Sequence, residues 1–460
     1  MIEDNPGLES DIVGNINDIS QTIVFPKSVG ADLIGTLTPH ITVSADATVS
    51  PNSNTAQNFS DPVEYIVSAT NGETTTYTVK VIKEGNLATD REVLIAFFNA
   101  NPDYAAELAE DGWDVNNPDS DVSTWDGITV ENNRVVEINL SIIPNSQNFT
   151  TITEEIGKLD KLNRLEILHG RFVTSIPESI GDLISLQYLD LKYFDNITEL
   201  PESIGNLNNL KFLLIWGGSL ITSLPSSIGN LSNLEELNIS GLDSLTHLPN
   251  EIGNLNNLEE LSLRAHHISS LPEEMGSLSQ LEDLALYTNS IEVFPEAILS
   301  LNSLEALTFE SSITSIPQGI DNLGNLKRLS IRSNSIQNSG IPSSIGNLSN
   351  LNALIFNGSG NLSSIPEEIS NLSNLTSFYT SYCSFNEIPS QITELPEMRT
   401  IVMVDNNLTT VPESISNITT LNFLNIHGNP ITSLPESVCS LLEQGVTIAL
   451  DQSELLEICD

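Results

Sequence analysis

The groups with which this chain could do chemistry are numerous but arranged for little of it. There are three cysteines, Cys383, Cys439 and Cys459, six histidines and 61 acidic residues. No two cysteines form a CxxC pair, and the one adjacent histidine pair, His266 and His267, reads as loop surface rather than as metal ligands. GxSxG, P-loop, HExxH and GxGxxG patterns are absent. Paired acids recur at Glu235-Glu236, Glu259-Glu260 and Glu282-Asp283, but at a fixed period that places them at equivalent outward positions. Such a ladder is a solvated face, not a carboxylate pair tuned for proton transfer. Asp114, Asn116, Asp119 and Asp121 crowd one turn without EF-hand spacing and read as a solvated acidic loop. No catalytic residue, metal site, cofactor or enzymatic activity is expected.

The elements that carry these residues are set by a repeat. A proline after an apolar residue returns at Pro177, Pro201, Pro225, Pro249, Pro272, Pro295, Pro317, Pro342, Pro366, Pro389, Pro412 and Pro435. Before the prolines lie LxxLxL patterns such as Leu186-Leu189-Leu191 and Leu234-Leu237-Ile239; after them runs P-x-x-I-G-x-L, as in Pro201-Ile204-Gly205-Leu207. From each proline to the first apolar residue of the next LxxLxL is nine residues, whereas the stretch from strand to proline varies. The constant half reads as a packed outer side and the variable half as loops along a rim. Alternate leucines of each short strand point inward, and one strand cannot bury them alone, so neighbours must stack and share a core.

With about thirteen copies over about three quarters of the chain, the sequence resembles the leucine-rich-repeat family of bacterial, plant-like type. The resemblance implies an α/β solenoid, a horseshoe with parallel strands on the concave face. It also implies an inward asparagine late in each repeat, met here by Asn289, Asn334, Asn406 and Asn429, with His266, Ser312, Ser359 or Cys383 elsewhere. Cys383 is thus expected inside, not as a reactive thiol.

Caps should close both ends. Over 86–134, Thr89-Asp90-Arg91-Glu92 reads as a capping box opening the helix Val93–Phe98. Trp125-Asp126-Gly127-Ile128 resembles the segment preceding the first plant repeat, with Ser123 and Val130 where plant caps carry a disulfide. Repeats then occupy 135–437. A C-terminal cap over 438–460 holds a helix, a strand at Val446–Leu450 and the segment Leu455–Cys459; its two cysteines, Cys439 and Cys459, are expected to form a disulfide, which places the protein outside a reducing compartment.

Residues 1–85 differ in kind. Val63–Ser68 and Thr76–Val81 flank Asn71-Gly72 and read as a hairpin. With Ile23-Val24-Phe25, Leu37-Thr38-Pro39 and Phe59-Ser60-Asp61-Pro62, the region resembles the immunoglobulin-like modules of Bacteroidetes surface lipoproteins. That implies a small all-β sandwich, and an extracellular or outer-membrane-associated protein of a bacterium, attached through a lipid anchor that these residues do not include. A formal charge of −45 excludes nucleic acid as a partner.

One pattern points to binding. Of nine Lys and Arg between 162 and 460, eight (Arg164, Lys192, Lys211, Arg264, Lys327, Arg328, Arg332 and Arg399) take outward positions of the LxxLxL segments. The same face carries Tyr188, Tyr193, Phe212, Trp216, Tyr287, Tyr379, Tyr382 and Phe423. Arg, Tyr and Trp dominate interface energetics. The expected partner is a protein or peptide across the concave face, with a glycan ligand or a structural adhesin as the alternatives.

Overall fold

The computed structural model describes residues 5, 8, 12–18, 21–25, 28–30, 32–142, 149–451 and 459. The chain divides into two compact units, Met1–Leu258 and Glu259–Asp460.

The first unit begins with a five-stranded sheet of β1 (Asn15–Asn17), β2 (Thr22–Val24), β3 (Thr48–Ser50), β4 (Val63–Ser68) and β5 (Thr74–Lys80), in the order β1-β2-β5-β4-β3. The hairpin forms where Asn71-Gly72 requires it: Gly72 takes φ +87°, and Val63 to Ser68 pair with Val79 to Thr74. Alternate residues Tyr65 and Val79 turn inward onto Val29, Ile34, Leu37 and Phe59 of the intervening loops, which supply the second layer.

Specific contacts join this small domain to the rest of its unit. Val24 and Ile82 bury against Ile184, Lys80 lies 3.6 Å from Asp182, and Lys161 donates to Ser28 at 3.0 Å. The cap helix α1 (Leu87–Ala100) starts three residues earlier than its acidic sequence suggests. Asn86 is the N-cap and accepts from the Thr89 amide, while the Thr89 hydroxyl reaches back to the cap backbone. Asp90, in the first turn, forms a buried cluster with Arg134 and Asp160. Arg134 donates to both Asp90 oxygens at 2.9 and 3.0 Å and to Asp160, which also accepts from the Gly85 amide at 3.2 Å. A second helix, α2 (Pro102–Glu110), and the stacked pair Trp113–Trp125, centroids 5.0 Å apart, complete a cap with Ser123 and Val130 at the plant disulfide positions.

Strand β6 (Ile128–Glu131) pairs antiparallel with β7 (Arg134–Asn139). Then β8 (Arg164–Ile167), β9 (Tyr188–Lys192), β10 (Phe212–Trp216) and β11 (Glu236–Ser240) continue in parallel, residue opposite equivalent residue. The second unit repeats this with β12 (Glu260–Arg264), β13 (Asp283–Tyr287), β14 (Ala306–Glu310), β15 (Arg328–Arg332), β16 (Ala353–Asn357), β17 (Ser377–Tyr379), β18 (Thr400–Val402), β19 (Phe423–Asn425) and β20 (Thr447–Ala449). The segment 455–458 lies outside the described residues.

Most of the outer turns are single 3₁₀ turns opened by a repeat proline in extended conformation, as at Pro201 (φ −67°, ψ 146°) before Glu202–Asn206; Thr153 opens the turn Glu154–Lys158, and the segment Ser390–Thr393 after Pro389 is α-helical. Proline fits because its missing N–H is one the turn would leave unpaired. The glycine of I-G-x-L is fixed by stacking: a Cβ on Gly205 would strike the Ser227 carbonyl of the next repeat, and one on Gly346 that of Glu368. Repeats are further joined by outer asparagines. Asn209 donates to Ile184 O at 2.6 Å, Asn233 to Asn208 O at 2.6 Å, and Asn350 to Gly324 O at 2.8 Å.

The inner ladder differs from expectation. Asn406 and Asn429 are buried and donate to Thr380 O at 2.5 Å and Met403 O at 2.7 Å. Asn289 and Asn334 are exposed, and their neighbours Thr288 and Ser333 face inward instead. The inward position is thus one residue earlier in these two repeats. Ser333 and Ser359 then do the bonding, to Ile313 O at 2.7 Å and Ser333 O at 2.5 Å. Cys383 takes the same place, buried, its thiol 3.5 Å from Phe356 O. Burial pushes that thiol's pKa up to about 11, so it is no thiolate at neutral pH. Cys439 and Cys459 are disulfide-bonded, with Cα atoms 5.1 Å apart.

Candidate functional site

On β8–β10 the buried second and fourth residues (Leu165, Ile167; Leu189, Leu191; Leu213, Ile215) lock the register, and the intervening residues form three outward rows. Arg164, Tyr188 and Phe212 make the first row. The Arg164 guanidinium lies 3.7 Å from the Tyr188 ring centroid, and the Tyr188 and Phe212 rings are 5.8 Å apart. Glu166, Asp190 and Leu214 make the middle row, Lys192 and Trp216 the last. Arg164 is 2.5 Å from Glu166 and 3.4 Å from Glu137. Lys192 is 2.7 Å from Asp190 and 5.8 Å from the Trp216 ring centroid. Trp216 remains 41% exposed, whereas Asp190 is 2% exposed and its Oδ1 has no hydrogen-bond partner among the described residues. Burial raises the Asp190 pKa against the opposing bond and charge of Lys192. Burial would lower the Lys192 pKa, but its bond to Asp190 and that charge turn it upward.

Tyr193 comes directly after, at φ 59° and 40% exposed, stacked on His169 with centroids 5.4 Å apart and with Arg171 at 5.5 Å. The structure therefore brings Tyr188, Lys192, Tyr193, Phe212 and Trp216 onto one short stretch of sheet.

In the second unit the expected residues are more dispersed. Arg264 lies 4.5 Å from the ring centroid of Tyr287 on the adjacent strand, and Arg332 lies 3.6 Å from Glu310. Tyr379 is half-buried in the middle row of β17, and Tyr382, at φ 58°, is 60% exposed beyond it. Among the described residues no ion pair or ring contact joins these tyrosines to Arg328, Arg332 or Arg399.

The face is not the positive surface that its basic residues alone suggest. Lys211 lies 2.6 Å from Glu235, Lys327 2.6 Å from Glu305, and Arg399 3.6 Å from Glu397. Of the eight bases, only Arg264 and Arg328 have no ion pair among the described residues. Around β7–β11 five acids (Glu137, Glu166, Asp190, Glu235, Glu236) face three bases (Arg164, Lys192, Lys211). The paired acids of the sequence form a solvated ladder at one end of the strands, but Glu166 and Asp190 occupy the buried middle row. The sequence holds a signal for them: every other strand carries an uncharged residue at that position, from Asn238 and Ser262 to Thr308 and Val402. No helix is long and apolar enough to cross a membrane among the described residues, and none of those residues forms a group of three or more His, Cys, Asp or Glu able to hold a metal ion.

Stacked LxxLxL strands on proline-led turns make a leucine-rich-repeat fold. Residues 173–265 and 250–361 match the leucine-rich repeat region family model, and residues 7–81 match the model described as SGBP, N-terminal. A leucine-rich-repeat protein of Leptospira interrogans is 28% identical, with TM-score 0.50, over 65% of this chain and 81% of that one. An internalin of Listeria monocytogenes is 21% identical, with TM-score 0.51, over 70% and 90%. A chain of the Drosophila Toll–Spatzle complex is 20% identical, with TM-score 0.52, over 66% of this chain and 44% of that one. No curated protein matches the chain.

Proposed function

We propose that this chain is a non-catalytic, surface-exposed binding protein that takes a protein or peptide partner on the outward face of its parallel sheet. The observation that carries this is the cluster Arg164, Tyr188, Phe212, Lys192 and Trp216: large rings and held cations on strands whose register the core fixes. Preorganised aromatic anchors are what interfaces use for much of their energy. Tyr193 widens this patch, and Arg264, Tyr287, Arg328, Arg332, Tyr379, Tyr382 and Arg399 offer further anchors in the second unit. In this reading residues 1–85 act as a spacer or docking module, 86–134 and 438–460 as caps and 135–437 as the binding repeats, on the outer surface of a bacterium.

A glycan ligand is the second reading, favoured by the match of residues 7–81 to a module of surface glycan-binding proteins. Capture from the source organism's surface fraction, with a glycan array beside it, separates the two. Trp216→Ala and Tyr188→Ala should then weaken binding roughly 30-fold or more without lowering the melting temperature, since an aromatic hot spot is worth about 2–4 kcal/mol. Unchanged affinity in both would place the site elsewhere.

A further inference from the structure

Asp190 sits where a carboxylate is expensive. It is 2% exposed, in the middle row of the sheet face, and one of its two oxygens accepts no hydrogen bond from any described residue. A buried polar atom without a partner costs stability, and natural proteins retain few of them. Only its neighbour Glu166 also brings charge to that row. The rings on either side already hold cations: Arg164 stands over Tyr188 and Lys192 near Trp216. Rings so placed favour positive charge through their quadrupoles. Around them acids outnumber bases five to three, in a chain of net charge −45. An anionic ligand would meet repulsion here, and a neutral one would leave the second Asp190 oxygen without a donor.

Resting on the sheet-face function proposed for this chain, we infer that the partner presents a basic side chain, an arginine or lysine of a peptide segment, to Asp190 and Glu166 between Tyr188 and Trp216. Lys192 occupies that place in the free protein, 2.7 Å from Asp190. The incoming cation displaces it and supplies the donor that the second Asp190 oxygen lacks.

The test uses the full chain and a fluorescein-labelled hexa-arginine peptide, read by anisotropy at physiological salt. Asp190→Asn should weaken binding roughly 30-fold, the lower end expected when one member of a buried charge pair is removed. Glu199→Gln, which removes the same charge from an exposed site off the strands, should change it less than about threefold, as rim charges do. Lys192→Met, removing the internal competitor, should tighten binding about tenfold, and more than Lys211→Met, whose lysine pairs with Glu235. If Asp190→Asn misfolds, as circular dichroism would show, the comparison of the two lysine variants decides. Absent hexa-arginine binding, an Asp190→Asn affinity equal to that of Glu199→Gln, or a Lys192→Met no tighter than Lys211→Met would overturn the inference. If Trp216→Ala and Tyr188→Ala weaken native partner capture while Asp190→Asn does not, the sheet-face reading stands and the cation site falls.

Discussion

Arg134→Ala tests whether the buried charge cluster, rather than the hydrophobic core alone, fixes the start of the solenoid. Arg134 is 8% exposed, and Asp90 and Asp160 are fully buried. The guanidinium satisfies both Asp90 oxygens and one of Asp160, while Asp160 also holds the Gly85 amide where the chain leaves the β-domain. Truncation leaves two buried carboxylates facing each other without their shared cation, a defect that costs about 3–5 kcal/mol. An unfolding entropy of about 2 cal/mol/K per residue applies over the 258 residues of this unit. A loss of about 4 kcal/mol then lowers its melting midpoint by roughly 7 °C. Calorimetry of the variant should show that drop, and proteolysis should open first near Gly85. Adding Asp160→Asn to Arg134→Ala should recover part of the loss, because one stranded charge disappears. A variant melting within about 1 °C of the wild type would refute the reasoning, since the cluster would then contribute nothing net.

Gly205→Ala, which drives a methyl into the Ser227 carbonyl, should destabilise the chain by about 1–3 kcal/mol, whereas Gly324→Ala, with open space at its Cβ, should be nearly neutral; denaturant titration compares them. Non-reducing mass spectrometry should find Cys439 linked to Cys459, and native-state alkylation should leave Cys383 unmodified until the protein unfolds. Asp182 and Asp190 both have pKa values raised above 3.8, chiefly by burial, so between 3.8 and those raised values the folded state binds protons more readily than the unfolded chain. Stability from these two groups therefore rises as pH falls from neutrality toward 4, and Asp182→Asn should flatten that rise in thermal melts. Below 3.8 the opposite sign takes over. Burial opposes it, but bonds from Arg134 and Ser28 and nearby positive charge hold Asp160 below its ordinary value, and that contribution is lost as Asp160 protonates.

The repeat, its strands and its outer turns were legible in the sequence because each is dictated within one period. The proline opens the turn, the glycine permits the next repeat to approach, and the alternate leucines choose the buried face. The hairpin was legible for the same reason, since Asn71-Gly72 sets its turn locally. The outward placement of Tyr188, Trp216 and Arg264 came directly from that alternation. What they meet did not. Whether Lys192 is a free charge or a partner of Asp190, and whether Asn289 or Thr288 faces inward, depends on residues a full repeat away. Their distance is set only when the strands stack. The helix starts at Asn86 rather than Thr89 because Asn86 accepts from the Thr89 amide and Thr89 becomes its reciprocal partner, while Asp90 pairs with Arg134, 44 residues distant. Local pattern determined which strand leucines enter the core; the tertiary structure alone decided which outward residues stay exposed and which charges are paired, because pair energies fall off within a few ångströms that no single repeat spans.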